Sequence, residues 1–127
     1  GSLRRALYYP LTAAGNDAAL QSVLQKVGLE QFGSRLDEID DWSRILSLGE
    51  QQRLAFARVL LVKPDWLFLD EATSALDEPR EAELYEMLAK ELPEMSIVSV
   101  GHRSTLYAQH SQELKLTADG GWKLQPI

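Results

Sequence analysis

Trp66-Leu67-Phe68-Leu69-Asp70-Glu71 decides the fold of this 127-residue chain. Four consecutive apolar residues end in two acids. A short, unbroken apolar run reads as a strand buried on both faces of a parallel sheet; a half-solvated strand would alternate. The acids then fall at the carboxyl end of that strand, where open α/β sheets collect ligands. A second run, Ser96–Val100, is closed by Gly101. Between the two, Asp77 and Pro79 open a helix with Leu84, Met87 and Leu88 facing inward, and Pro93 breaks it. Strand, helix and strand in this order imply a crossover between parallel neighbours.

Working outward, Leu46-Ser47-Leu48-Gly49-Glu50-Gln51-Gln52-Arg53 leads into a helix expected over Gly49 to Val62. Leu54, Ala57 and Leu61 share one of its faces, and Pro64 ends it. Further upstream, Asn16 or Asp17 caps a helix carrying Leu20, Val23, Leu24 and Val27, with Gly28 as the stop. Residues 29–45 read as irregular or short helical structure. Downstream, Ser104–His110 reads as a short helix. Glu113–Thr117 and Trp122–Gln125 flank Ala118-Asp119-Gly120-Gly121, a hairpin turn. The expectation is an α/β chain with a mainly helical first half, 1–62, and a strand-bearing second half, 63–127.

The net charge of -6 argues against a general nucleic-acid surface, which needs clustered Lys and Arg. The absence of cysteine excludes disulfides and thiolate metal sites. The longest apolar runs, such as Val59–Val62, are far too short to span a bilayer. A membrane connection would have to come from a partner or from chain beyond these residues.

The chemistry-bearing residues cluster around the two acids. Asp70 at a strand end is suited to hold Mg²⁺, directly or through water. Glu71 points elsewhere and can accept or orient the proton of an attacking water. The plain alternative is a strand end followed by a capping acid pair. Ser47 and Gly49 precede a helix, whose free N–H groups and positive dipole suit a phosphate; Ser47 is equally an ordinary helix cap. Gln51 can donate to a phosphate or solvate the helix face. Asp77 can cap the helix after it and also meet a neighbouring subunit. His102, just past the second strand, can donate to a γ-phosphate or hold a water. His110 reads as structural, and the two histidines lack a convincing third metal ligand.

Taken together these pieces resemble the second half of an ABC-type ATPase. Leu46–Arg53 resembles the ABC signature, Trp66–Asp70 the Walker B strand and Glu71 its catalytic carboxylate. Ser74–Asp77 resembles the D-loop, and His102 the switch histidine. Asp41-Trp42, Gly101-His102-Arg103-Ser104-Thr105-Leu106 with His110, and Gly120-Gly121-Trp122 resemble one branch of that family. The branch holds peroxisomal acyl transporters of the adrenoleukodystrophy type and bacterial relatives with an SbmA/BacA-like membrane part. The resemblance implies a P-loop NTPase fold, ATP and Mg²⁺ as cofactors, and a head-to-tail dimer of ATPase domains. Glu71 and His102 would be catalytic, and Asp70 would serve the metal. Ser47, Gly49, Gln51 and Asp77 would contact nucleotide across the dimer. Partner transmembrane domains and a place on the cytoplasmic face of a membrane, the cell inner membrane, are implied too, with no nucleic acid.

The match has departures. Leu48 stands where the signature usually has glycine, and Glu50 where many members have glutamine. No Gly-x-x-x-x-Gly-Lys-Ser/Thr loop occurs in these residues. The chain therefore reads as a piece beginning just after the Q-loop, inactive as an ATPase by itself because most phosphate contacts are missing. Two other readings compete: part of a soluble ABC ATPase of DNA repair or translation, and a non-enzymatic module that binds a partner.

Overall fold

Capping and apolar spacing set the helices. The computed structural model describes residues 1–11 and 16–127. Helix α1, Leu3–Tyr8, starts at Ser2, whose side chain accepts from the Arg5 N–H. Helix α2, Asp17–Lys26, is capped by Asn16, which accepts from the Ala19 N–H at 2.8 Å. Its apolar stripe buries Leu20, Val23 and Leu24, and Gly28 reverses the chain at φ +75. A 3-10 turn at Glu30–Phe32 and the single turn α3, Trp42–Ile45, follow. These are the short helical pieces expected over 29–45.

Helix α4 runs Leu48–Val62, one residue earlier than the sequence expectation. Ser47 and Glu50 form a reciprocal capping box at its start. The face it buries also differs. Phe56, Ala57 and Leu60 are fully buried, while Leu54 and Leu61 pack at the margin. The reason is that α4 packs against three helices, α1, α2 and α5, Glu78–Glu91. Leu84 and Leu88 of α5 are buried and Met87 is half-buried. One apolar cluster, including Leu7, Leu24, Phe56, Leu76 and Leu88, joins all four helices.

Strands β1, Trp66–Asp70, and β2, Ser96–Val100, pair in parallel, with Trp66 opposite Ser96 and Asp70 opposite Val100. The crossover through α5 is as the sequence implies. Burial on both faces is not. Leu67, Leu69 and Ile97 pack against the helical cluster, but Trp66 is 62% exposed and Phe68 73%. Val98 and Val100 beside them are exposed too. The helices cover one face of this sheet, and no element among the described residues covers the other.

Ser104–Gln109 winds as a 3-10 helix. The chain ends in an antiparallel hairpin, β3, Gln112–Leu116, with β4, Trp122–Pro126. Leu114 faces Leu124 and Leu116 faces Trp122 across it. These four apolar side chains also lie exposed.

Candidate functional site

The parallel register brings the ends of β1 and β2 side by side, so the loops leaving them meet. Asp70 is exposed at the end of β1. Glu71 follows at φ +51, the left-handed region that a non-glycine residue with a long side chain rarely enters. Its N–H donates to the Val100 carbonyl at 2.9 Å, which stitches the turn to the end of β2. Strained backbone of this kind is held only where surrounding bonds over-determine it. Here it turns Glu71 out of the strand line and toward His102. Glu71 Oε1 lies 3.2 Å from His102 Nε2. The histidine side chain is 94% exposed and the carboxylate 43%. A carboxylate and an imidazole in hydrogen-bond reach, both open to solvent, can share and pass a proton with a bound water.

The hollow beside this pair, lined by Glu71, Ser74, His102 and Arg103 among others, measures about 20 Å³. That is room for a water, not a nucleotide. Among the described residues no three His, Asp or Glu side chains gather as a metal cage.

The signature residues are placed differently from the acids. Ser47 Oγ accepts from the Glu50 N–H at 3.1 Å, and Glu50 Oε1 accepts from the Ser47 N–H at 2.9 Å. Gly49 abuts the Ser74–Asp77 turn: a Cβ there would meet Leu76 Cδ2 at 3.3 Å and the Ala75 carbonyl at 3.4 Å. The glycine lets α4 approach that turn. Gln51 Nε2 donates to the Ser43 and Leu46 carbonyls, so both amide hydrogens are bound within the chain. Asp77 accepts from the Arg80 N–H at 2.8 Å and caps α5.

Three residues that sequence reasoning passed over organise this region. Gln52 Nε2 donates to the Glu71 carbonyl and to Ser74 Oγ, and its Oε1 accepts from the Ala75 N–H. Glu81 is 1% exposed on the inner face of α5. It accepts from Thr73 Oγ1 and Thr105 Oγ1 and forms an ion pair with Arg103. Arg103 in turn donates through Nη2 to the Ser74 carbonyl. Glu81 had one legible signal: it sits in register with Leu84, Tyr85 and Leu88, an acid on an apolar stripe.

His110 is held inside the fold, as expected of a structural histidine. Its Nδ1 donates to the Leu106 carbonyl at 2.7 Å, and its Nε2 lies 2.8 Å from Ser99 Oγ. Tyr85 OH completes the row with Ser99 at 2.8 Å, and burial pushes the Tyr85 phenol up.

Comparison with known proteins shows the family. The family model described as "ABC transporter" matches residues 5–74, more than half of the chain. The chain belongs to the ABC transporter family. An uncharacterized ABC transporter ATP-binding protein of Haemophilus influenzae is 51% identical over 126 residues, covering 98% of this chain and 21% of that protein. The lysosomal cobalamin transporter ABCD4 of Homo sapiens is 39% identical over 138 residues, covering 100% and 22%. A bacterial Atm1-family ABC exporter with ATP bound has a similar fold, with a TM-score of 0.73 and 26% identity over 89% of this chain and 20% of that one. This ABC chain thus spans about a fifth of the length of the curated relatives it matches. Those relatives are ATP-binding proteins of transporters, which disfavours the DNA-repair or translation alternative. The D-subfamily relative agrees with the branch that Asp41-Trp42 and Gly101–Leu106 resemble.

Proposed function

We propose that this chain is the later part of the ATP-hydrolysing domain of an ABC exporter, with 1–62 as its helical subdomain and 63–127 as half of its catalytic core. The observation that carries the reading is the Glu71–His102 pair at 3.2 Å, set beside Asp70 where two parallel strands end. Glu71 takes or orients the proton of the attacking water, and His102 holds the γ-phosphate side of the site. Asp70 would hold Mg²⁺, an ion that is commonly bound through one or two carboxylates rather than a protein cage and that would neutralise phosphate charge. An oxygen donor at an exposed strand end fits that demand. ATP would supply the phosphoryl group when bound.

Ser47 and Gly49 present the start of α4 to nucleotide on a second ATPase domain, arranged head to tail. Asp77 lies at that same edge. Gln51, with its amide committed to backbone, braces this surface. The helical subdomain meets transmembrane partner domains, on the cytoplasmic face of the inner membrane.

In the full-length protein that carries this chain, Glu71→Gln is expected to lower the turnover of Mg-ATP by about 100-fold or more, the usual worth of a general base. ATP binding should persist. Steady-state hydrolysis together with ATP affinity checks this, and turnover at the unaltered rate would remove Glu71 from the chemistry.

A further inference from the structure

We infer that Glu81 is a positioning residue that sets the Glu71–His102 pair by tying the loop after β1 to the loop after β2. The inference rests on the hydrolytic reading of that pair. Glu71 and His102 lie on separate loops; the His102 side chain is almost fully exposed and that of Glu71 partly so. Packing around the two side chains therefore does little to fix their spacing. What lies beneath them does.

Among the described residues, the partners of the Glu81 carboxylate come from those two loops. Thr73, two residues after Glu71, donates to Oε2 at 2.5 Å. Thr105, three residues after His102, donates to Oε1 at 2.7 Å. Arg103, next to His102, brings Nη1 to 3.5 Å of Oε2, an ion pair longer than a good hydrogen bond. Arg103 Nη2 then reaches across to the Ser74 carbonyl at 3.0 Å. The two loops are thus bridged twice, once through the carboxylate and once through the guanidinium. The Glu71 N–H on the Val100 carbonyl adds a third link.

A carboxylate is a costly way to fill this place if stability were its whole use. Glu81 follows the spacing of Leu84, Tyr85 and Leu88, where an apolar side chain would continue the stripe. Exchanging a buried ion pair for well-packed apolar residues is often neutral or stabilising. A fork with two acceptor oxygens does what leucine cannot: it holds a hydroxyl from each loop at fixed distance. Catalytic pairs need that precision, because a displacement of about 1 Å can cost roughly 100-fold in rate.

The test uses the full-length protein, with Glu81→Gln, Thr105→Val, Glu71→Gln and the double variant Glu71→Gln/Glu81→Gln. Each is assayed for kcat, KM for Mg-ATP and thermal unfolding. Glu81→Gln is expected to lower kcat by about tenfold with KM changed less than about twofold. Thr105→Val removes one link, leaves the Glu81–Arg103 pair intact and so keeps the idea testable if Glu81→Gln misfolds. Its kcat should fall by about threefold or more at unchanged melting temperature. Added to Glu71→Gln, the Glu81→Gln change should cost less than it does in the unaltered protein, because one of the two groups it positions is already gone. Unaltered kcat in Thr105→Val and in folded Glu81→Gln would overturn the inference. So would losses of kcat that only track the folded fraction, or a Glu81→Gln loss that is just as large with Glu71→Gln as without it. Turnover at the unaltered rate in Glu71→Gln would instead refute the hydrolytic reading itself.

Discussion

Ser47 shows how one side chain can serve fold and function together. Its hydroxyl takes the Glu50 N–H while its own N–H is taken by the Glu50 carboxylate, so the start of α4 is closed within the chain. Losing such a cap costs about 1 kcal/mol. Ser47→Ala in this chain should therefore lower the denaturant midpoint modestly with an unchanged slope, read by urea unfolding; an unchanged midpoint would show that the box contributes nothing. Asp77 caps α5 in the same manner. Both residues were legible as caps from the sequence because a cap is decided within three residues. The pairing of Glu71 with His102 was not, since 31 positions separate them in the sequence and only the parallel register joins them.

At the scale of elements, α4 and α5 hold the strand ends from below. Phe56, Ala57 and Leu60 of α4 meet Leu84 and Leu88 of α5 in the common core. Gln52 extends that grip to the turn after β1 through three hydrogen bonds to residues 71–75. Gln52→Ala should loosen this turn while leaving α4 itself intact. Amide hydrogen exchange at Ala75 is expected to accelerate by about tenfold, since its N–H loses its acceptor. Equal exchange rates in the two proteins would show that the turn stands without Gln52. The sequence showed Gln52 only as one polar residue in a polar run, because its partners come from another element. The same reason hid the true buried stripe of α4: contact with three other helices shifted it from the face that spacing alone picks out.

At the scale of the molecule, apolar surface is left open on two sheets. Trp66, Phe68, Val98 and Val100 line one, and Leu114, Leu116, Trp122 and Leu124 the other. Contiguous exposed apolar patches of this kind favour association. This chain is expected to self-associate with rising concentration, and Phe68→Ser combined with Val98→Thr should weaken that. Sedimentation velocity across a concentration series checks both; a monomer throughout the series would rule them out. The sequence by itself determined helices α2, α4 and α5 with their caps, the parallel strands and the family, because these follow from local spacing and from motifs in fixed order. Only the tertiary structure decided which faces stay covered, that Glu71 reaches His102, and that Glu81 joins their loops. Those facts depend on which elements lie against each other, and no local pattern encodes a neighbour that arrives from elsewhere in the chain.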